Sequence, residues 1–274
     1  MSVIVPARNE QRCLGKCLDS LVAQQGVDFE IIVVDDDSSD STRAIALARP
    51  VRLLQAPPCP AGSSGKCNAA QAGAGAASGE WLLFTDADTV HLPGSLARAL
   101  AEAHEHGAAL LSYSPAQDAP GLWEKLVLPL IFAELAVTYR PAEVNDPASP
   151  VAAANGQYLL IAREAYDAIG GHAAVSHTLL EDVALAQAVK RSGRRLHFRF
   201  GGDAVRARMY SSFRDLREGW TKNLALLFPN TGQVAARRAL EFLLAGAGIG
   251  AAIAGAVTAN YALLGAGLLV AVPT

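Results

Sequence analysis

Cysteine is scarce in this sequence, and its spacing excludes two kinds of stabilising site. The four cysteines, Cys13, Cys17, Cys59 and Cys67, form no paired CxxC motif. Met1 leads directly into a hydrophobic strand pattern, so we expect no secretory signal peptide. The pattern therefore argues against a zinc site and against a disulfide framework, and we expect four reduced thiols.

Charge is also sparse, and it is unevenly distributed. Charged residues make up 18% of the chain against 51% hydrophobic residues, and the formal net charge is −3. Segment 190–238 nevertheless holds twelve Lys and Arg with three acidic residues. This basic segment suits phosphates or an anionic lipid surface, the alternative being a solvated helical face. It lacks an aromatic-interleaved or helix-turn-helix pattern, which argues against nucleic acid as a partner.

No charged residue occurs from Phe242 to Thr274. About 20 apolar residues cross a bilayer, so this stretch predicts one membrane helix, or one helix and the start of a second. Arg237 and Arg238 precede it, and the positive-inside rule then places the preceding domain on the cytoplasmic side of the cell membrane. We predict a folded domain over residues 1–238 and a membrane segment over 239–274. A buried Ala-rich core helix is the alternative.

Strand and helix patterns alternate along the first part of the chain. Short apolar runs with helical spacing between them predict a βαβαβαβ order, hence an α/β fold with a mostly parallel central sheet flanked by helices. The predicted strands are 2–6, 30–34, 51–54 and 81–85, and the predicted helices between them are 10–25, 41–48 and 66–77. Further along, we expect a strand at 157–161 and a helix at 181–192.

An apolar segment from Leu122 to Tyr139 has no obvious place in this sheet. Trp123 stands at its start and Pro129 lies inside it. Two interpretations fit equally: an interfacial helix that touches lipid, or a core helix.

Acidic residues follow two of the predicted strands. Asp35 and Asp36 end one run, and Asp86 and Asp88 form a DxD motif after another. Ligands of α/β sheets bind beyond the carboxyl ends of the strands, so both pairs are expected at one edge. Carboxylates there suit Mg²⁺ or Mn²⁺, which take one or two protein carboxylates together with phosphate oxygens. A DxD motif alone also occurs in ordinary turns and helix caps.

Five motifs in a fixed order carry a family resemblance. They are Val3-Ile-Val-Pro-Ala-Arg-Asn-Glu10, Ile31-Ile-Val-Val-Asp-Asp36, Gly65-Lys66 with Asn68-Ala69, Asp86-Ala-Asp88 and Glu181-Asp182. Together they resemble the family 2 glycosyltransferases, nucleotide-sugar enzymes of the GT-A fold, over about residues 1–227. The chain is similar to membrane-attached members that glycosylate lipids, such as hopanoid- or carotenoid-linked enzymes.

The resemblance implies a donor site for a UDP-sugar. Pro6, Ala7 and Glu10 would line the nucleotide, and Asp35 or Asp36 would accept hydrogen bonds from the uracil or ribose. Where the family usually has a small glycine after the paired aspartates, this chain has Asp37.

The resemblance also implies how the diphosphate is held. Lys66 would offer its ammonium group to the diphosphate, since a point charge suits phosphate. Asp88, aided by Asp86, would bind the Mg²⁺ or Mn²⁺ that offsets the charge of the departing UDP.

Glu181 and Asp182 stand at a predicted helix start, where plain N-capping is the simple alternative. By resemblance, Asp182 is the general base that takes a proton from an acceptor hydroxyl, so that the attack inverts the anomeric carbon. Glu181 is the other candidate for this base.

The acceptor or phosphate side is assigned more loosely. Asn155, Gly156 and Gln157 resemble the family's acceptor-side loop, although a simple turn has the same composition. Arg217 is expected near phosphate, and Trp220 near a sugar or the bilayer interface. The segment Arg214–Trp220 differs from the QxxRW signature of processive family members, because it lacks the Gln and has two residues between Arg217 and Trp220. This difference argues for the transfer of a single sugar.

The predicted function is therefore inverting, metal-dependent transfer of a sugar from a UDP-sugar to a lipid or membrane-bound acceptor. The alternative is a membrane-anchored scaffold that binds nucleotide-sugar without turnover. A nucleotidyltransferase would need a Gly-rich loop after the first strand, and 6–10 contains none.

Overall fold

The computed structural model describes residues 1–209, 213–227 and 230–271. Backbone contacts divide the chain into two compact units, Met1–Leu216 and Arg217–Thr274. The predicted boundary at residue 238 lies within a helix that runs from Thr231 to Val257, and the assignment of domains on either side of it stays a prediction.

The first unit alternates strands and helices, as the sequence pattern predicts. Within the described residues the strands are β1 (Ser2–Ala7), β2 (Glu30–Asp35), β3 (Arg52–Gln55), β4 (Trp81–Phe84), β5 (Thr89–His91), β6 (Leu110–Ser114), β7 (Ala116–Gln117), β8 (Leu159–Ala162), β9 (Leu196–Phe200) and β10 (Val205–Ala207). The helices of this unit are α1 (Leu14–Val22), α2 (Thr42–Leu47), α3 (Gly65–Ala76), α4 (Ser95–Glu105), α5 (Leu122–Thr138), α6 (Pro141–Asn145), α7 (Arg163–Ala168), α8 (Gly171–Ala174) and α9 (Glu181–Arg191).

A seven-stranded sheet in the order β3-β2-β1-β4-β8-β6-β9 forms the centre of the described part of this unit. Strands β3, β2, β1 and β4 run parallel, as do β6 and β9. The predicted mostly parallel sheet is thus confirmed. Strand β8, however, pairs antiparallel with both β4 and β6, which the simple βαβ pattern did not predict.

The reversed strand has a consequence for function. Because β8 runs against β1, β2 and β4, its amino-terminal end lies at the edge where those strands end. The segment that precedes β8 therefore reaches the same edge as Asp35 and Asp86. The predicted strand over 157–161 begins only at Leu159, because Gln157 belongs to a turn whose Asn155 side chain accepts a hydrogen bond from the Gln157 backbone N–H at 2.9 Å.

Two apolar layers cover the sheet. Side chains of Ile4 and Val34 belong to a buried cluster on one face, together with small residues of α3. Val3 and Val5 belong to a second cluster on the opposite face, with Leu14 and Leu18 of α1. The alternation of β1 side chains between the two faces is what a strand buried on both sides requires.

Three short strands form a second sheet in the order β5-β10-β7. Strand β5 directly follows the DxD motif, and it pairs antiparallel with β10. These strands have two or three residues each, too few to give a hydrophobic period, so the sequence pattern did not predict them.

The second unit contains helices. Helix α10 (Phe213–Leu227) leads into it, followed by α11 (Thr231–Val257) and α12 (Tyr261–Ala271). A Cβ atom on Gly255 would collide with the backbone of Leu264, so the glycine lets α12 pack closely on α11. The apolar C-terminal stretch therefore forms two helices, the second of the two arrangements expected.

Among the described residues, one helix has the length and composition needed to cross a bilayer. It spans Gly232–Val257 with a mean hydropathy of 1.8, and 17% of its most apolar stretch of 18 residues is buried. This helix begins ahead of the predicted segment 239–274 and includes Arg237 and Arg238 in its first turns.

The contact of α3 with the sheet depends on a missing side chain. A Cβ atom on Gly73 would lie 2.5 Å from Cγ2 of Ile4 and 3.0 Å from Cγ2 of Val34. Both neighbours are β-branched and stiff. Gly75, in the same helix, would meet nothing within 4 Å.

We therefore expect opposite effects from the same substitution at two positions. Gly73→Ala should destabilise the protein by about 1–3 kcal/mol through overpacking. Gly75→Ala should stabilise it by about 0.5–1 kcal/mol, because alanine restricts the unfolded chain more than glycine does. Unfolding of the detergent-solubilised full chain measures both, and equal behaviour of the two variants would contradict the close packing at Gly73.

Candidate active site

An open pocket lies at the carboxyl edge of the sheet, with about 800 Å³ of empty space that opens to solvent. It is bounded by the ends of β1 and β4 and by the first turns of α3. Its lining comprises Pro6, Ala7, Arg8, Glu10, Asp36, Gly65, Lys66, Ala69, Asp86, Ala87 and Asp88. Seven of the residues predicted from sequence for the donor or metal thus surround one pocket. Asp35 is not in the lining, since its carboxylate is buried and accepts a hydrogen bond from the Ser38 N–H at 3.3 Å.

Two left-handed residues shape the loops after β1 and β2. Asn9 has a φ of 57° and Asp37 a φ of 58°. The side-chain amide oxygen Oδ1 of Asn9 accepts a hydrogen bond from the Ser39 N–H at 2.9 Å, which ties the two loops together. Asn and Asp tolerate this conformation better than other non-glycine residues. Asp37 therefore adopts the backbone conformation for which glycine is best suited.

Asp36 lies against the start of α3. A Cβ atom on Gly65 would collide with a carboxylate oxygen of Asp36, so the glycine allows this approach. The guanidinium group of Arg8 lies 3.4 Å from the same carboxylate, and the Arg8 side chain is largely exposed at the pocket. Sequence reasoning did not assign Arg8 a role, although it stands within the first motif.

Lys66 joins the two acidic groups of the site. Its ammonium nitrogen lies 2.8 Å from Oδ1 of Asp86 and 3.2 Å from Oε1 of Glu181. Burial lowers the pKa of the ammonium, but the carboxylates of Asp86 and Glu181 outweigh it and raise that pKa above its ordinary value. The lysine is therefore a fixed positive charge between the DxD motif and the start of α9.

Asp88 has an unusually weak tendency to ionise. Burial, followed by the nearby carboxylates of Asp86 and Glu10, raises its pKa to about 7. The Gln157 amide donates to its Oδ1 at 3.4 Å. The surroundings of Asp88 therefore disfavour a further negative charge, because Lys66 offsets only part of the effect of burial and of Asp86 and Glu10.

This donor set fits Mg²⁺ or Mn²⁺ bound with a phosphate ligand. Asp86 and Asp88 would offer carboxylate oxygens from one turn, and the described residues contain no cluster of three or more His, Cys, Asp or Glu that could enclose a metal ion. These ions need one or two protein carboxylates when phosphate and water complete the shell.

Asp182 lies in a narrow cleft beside this pocket, lined also by Pro6, Lys66 and Asp86. Its Oδ2 accepts the Gly156 N–H at 2.9 Å, and its Oδ1 accepts the Val183 N–H at 2.8 Å. Burial, and then the charge of Glu181, raises its pKa to about 6. The carboxylate is therefore held in place by backbone donors, yet it is more basic than an ordinary aspartate.

A buried polar network, which sequence reasoning missed, connects the DxD turn to the loop 155–157. The Thr85 hydroxyl donates to the Gln157 carbonyl at 2.7 Å, and the Thr89 hydroxyl donates to the Asp86 carbonyl at 2.7 Å. His91 Nε2 lies 3.1 Å from the Thr85 oxygen and 3.3 Å from the Thr89 oxygen. Because both hydroxyl protons are already used, Nε2 of His91 is the donor.

Burial lowers the pKa of His91 to about 3, so its ring is neutral. A sequence signal for this network exists in hindsight. Thr85, Thr89 and His91 flank the DxD motif and follow the apolar run of β4, where polar side chains are buried and need partners.

The remaining predicted residues fall in two places. Asn155, Gly156 and Gln157 come together with Asp88 and Asp182, as described above. Arg217 and Trp220 belong to the second unit, where the Arg217 side chain is exposed and the Trp220 side chain is buried, and their roles stay predictions.

Comparison with known proteins identifies the class of protein that carries this edge pocket. The family model of glycosyl transferase family 2 matches residues 2–170, more than half of the chain. The chain belongs to this family.

Curated relatives include the 4,4'-diaponeurosporenoate glycosyltransferases of Staphylococcus aureus strains MRSA252 and USA300. Each is 28% identical to this chain over 234 residues, which cover 82% of the chain and 60% of the relative. The chain thus spans about 60% of the length of these relatives.

Solved structures share the fold. A mannosyltransferase from Pyrobaculum calidifontis, in complex with GDP-Man and Mn²⁺, has a TM-score of 0.64 at 22% identity and covers 86% of this chain and 64% of its own. Staphylococcus aureus TarS with UDP-GlcNAc has a TM-score of 0.54 at 17% identity over 78% and 60%. Glucosyl-3-phosphoglycerate synthase from Mycobacterium tuberculosis, with Mn²⁺ and UDP-glucose, has a TM-score of 0.52 at 20% identity over 84% and 78%. The predicted GT-A fold is confirmed.

The buried network gives a test of the geometry. Thr85→Val should destabilise the protein by about 1–3 kcal/mol, because the buried Gln157 carbonyl loses its donor. Thr85→Ser keeps the hydroxyl and should stay close to the unsubstituted protein. Thermal unfolding of the detergent-solubilised chain compares them, and a valine variant as stable as the serine variant would show that the hydrogen bond is not formed.

Proposed function

We propose that this protein is an inverting glycosyltransferase that moves a sugar from a nucleotide-diphosphate sugar, with UDP as the first candidate nucleotide, to a hydroxyl of a lipid or membrane-bound acceptor. The observation that carries the proposal is the arrangement of two acidic centres. Asp182 borders the same cleft as Asp86 of the DxD motif. Lys66 forms ion pairs with both Asp86 and Glu181, the residue before Asp182.

The donor would occupy the edge pocket. Pro6, Ala7 and Glu10 would line the nucleotide, and Asp36 is better exposed to it than Asp35. Proteins that share the fold were solved with UDP-sugars and with GDP-Man, so both nucleotides belong in a test. Lys66 would place its positive charge next to the diphosphate.

Asp88 and Asp86 would hold the divalent ion. When bound, Mg²⁺ or Mn²⁺ supplies positive charge that offsets the charge of the leaving nucleoside diphosphate. The protein's own contribution is to keep Asp86 oriented by Lys66 and Asp88 oriented by the amide of Gln157.

Asp182 would act as the general base. It takes the proton of the acceptor hydroxyl while that oxygen bonds to the anomeric carbon, and the bond from that carbon to the diphosphate oxygen breaks with its electron pair on the diphosphate. A pKa near 6 leaves the carboxylate ionised at neutral pH and raises its basicity toward the working pH. Glu181 is the weaker candidate, since its carboxylate already pairs with Lys66.

The acceptor would approach along the loop 155–157. Gly156 holds Asp182 through its N–H, and Gln157 reaches Asp88, so this loop lies between the base and the metal side. Arg217 and Trp220 remain candidates for phosphate or sugar contact. The candidate membrane helix found among the described residues and the lipid-like acceptor named for the curated relatives support a membrane-bound acceptor and a protein held at the cell membrane. The cytoplasmic side for the catalytic domain follows from the positive-inside rule applied to Arg237 and Arg238, on the amino-terminal side of the apolar run.

The name of those relatives raises a second possibility for the acceptor group. Diaponeurosporenoate is named as a carboxylate. A carboxylate acceptor is ionised at neutral pH and needs no base, whereas a hydroxyl does. The negative charge of Asp182 beside the cleft favours the hydroxyl.

Turnover of a panel of UDP- and GDP-sugars, with and without Mn²⁺, tests the assignment. We expect one donor to give metal-dependent transfer to a lipid alcohol, and both Asp88→Ala and Asp182→Asn to lower kcat by about 10²–10⁴-fold. Asp182→Asn should keep donor affinity, because the base touches the acceptor.

Asp167→Asn, an exposed aspartate on α7, is the matched control and should be fully active. A donor that binds without turnover in every acceptor mixture would favour the scaffold alternative. Two results together would favour a carboxylate acceptor. The unsubstituted protein would transfer no sugar to alcohols, and Asp182→Asn would keep full activity toward a carboxylate.

The pH profile provides a separate test. The pKa of Asp182 is raised to about 6, so the reactive carboxylate is present above that pH and lost as the pH falls through it. With Mn²⁺ at a saturating concentration, so that Asp88 stays ionised, we expect kcat/KM for a lipid alcohol to fall about tenfold per unit below pH 6. Residual activity of Asp182→Asn should lack this acid limb, and an acid limb that persists there would assign the titration to another group.

A further inference from the structure

Helix α5 has an outer face that the proposed active site does not use. Leu122, Leu126, Leu130 and Val137 follow one another at helical intervals and point to one side. Their exposed fractions, with that of neighbouring Trp123, are 68%, 54%, 74%, 49% and 55%. Pro129 and Ala133 are exposed between them.

Few polar groups lie on or beside this face, and one of them, Glu134, follows Leu130 by one helical turn and is partly exposed. Throughout this fully described helix, the exposed residues that are not apolar are Lys125 at its margin and Thr138 at its last position. The opposite side carries the buried residues of the helix, Glu124, Leu128 and Ile131. The Glu124 carboxylate is itself used to accept the Gly121 N–H at 2.6 Å.

A helix that is apolar over most of its surface normally has both faces covered, one by its own protein and the other by a partner or by lipid. The exposed stripe extends over about 23 Å, from Leu122 to Val137, at 1.5 Å per residue. Contiguous apolar surface of this kind marks an interaction site rather than ordinary protein surface. Isolated exposed leucines, such as Leu47 on α2, need no such explanation.

The position of α5 in the chain relates this face to the acceptor. Strand β7 ends at Gln117, four residues before the helix N-cap at Gly121. The Gln117 amide donates to Oε1 of Gln157 at 3.4 Å, and the Gln157 amide donates to Asp88. The amino-terminal end of α5, with Trp123, is therefore connected by a few residues to the acceptor-side loop.

We propose that the outer face of α5 lies in the surface of the bilayer and presents the acceptor-side loop to lipid. The occupant is lipid because the chain carries its own candidate membrane-crossing helix in α11, which brings it to a bilayer. Trp123 at one end and Lys125 at the margin are side chains that suit the boundary between hydrocarbon and water. The membrane contact stands on the exposed face itself, and its role in acceptor delivery rests on the proposed function.

Quenching of Trp123 fluorescence by brominated lipid tests the contact without any need for turnover. The full chain is mixed with vesicles made of ordinary or brominated phosphatidylcholine, and the contribution of Trp123 is the difference between the unsubstituted protein and Trp123→Phe. We expect brominated lipid to reduce that contribution by about twofold or more, as for an aromatic ring inserted at the acyl boundary.

Two variants separate the face from general hydrophobicity. Leu126→Gln with Leu130→Gln should abolish most of the quenching and raise the KM for an acceptor dispersed in vesicles, with donor affinity unchanged. Leu47→Gln, which removes an equally exposed leucine on α2, should change neither.

Absence of quenching overturns the inference, whether the chain stays off the vesicles or α5 is covered by a second copy of the protein, which cross-linking would reveal. If Trp123 is quenched while no donor and acceptor pair gives transfer, the membrane contact stands and the proposed reaction is what fails.

Discussion

The ammonium group of Lys66 is the interaction on which the arrangement of the site depends. Two carboxylates, from the end of β4 and from the start of α9, approach the same small volume, and their mutual repulsion would separate them without a cation between them. The lysine side chain is 40% exposed, so the pairs contribute less to stability than buried ones would. These ion pairs act mainly by positioning. They hold Asp86 and Glu181, which are 95 residues apart in the sequence, next to the same ammonium group.

Helix α3 makes this possible by its own composition. Its small residues let the helix lie directly on β1 and β2, with Gly73 in contact with branched side chains. A helix seated on the sheet through glycine has little freedom to shift, so its first turn delivers Lys66 and Gly65 to a defined place. Asp36 meets the backbone at that same turn. The packing of Gly73 in the core therefore determines where the positive charge of Lys66 lies at the edge of the sheet.

The sequence pattern predicted the parts of the fold that follow from local periods. Continuous runs such as 30–34 marked the parallel strands, and the carboxylates at their ends correctly indicated the edge pocket. It did not predict the direction of β8, because a four-residue apolar strand reads the same in both directions, and direction depends on long-range pairing. Short strands such as β7 lack any period at all.

For the site as well, the sequence predicted some of the residues and missed others. Charged side chains just beyond β4 or at the start of α3, such as Asp88 and Lys66, were predicted from the sequence, and the structure brings them to one pocket. Neutral polar residues such as Thr85 and His91 act through buried hydrogen bonds to backbone carbonyls, and only the folded geometry reveals which carbonyls they meet.

The reversed strand β8 separates two parts of the first unit, and the sequence of one part can change without a change in the other. The pocket lined by β1, β4 and α3 is built from parallel strands connected by helices such as α1 and α3 that pack on the sheet, and a change in those helices would disturb the core. The chain between β6 and β8, which includes α5 and ends in the loop 155–157, leaves the sheet and returns to it from the opposite direction. Insertions or substitutions in that excursion can remodel one wall of the cleft while the ladder of strands remains the same. The architecture thus allows relatives to diverge in what they modify and to retain how they hold the activated sugar.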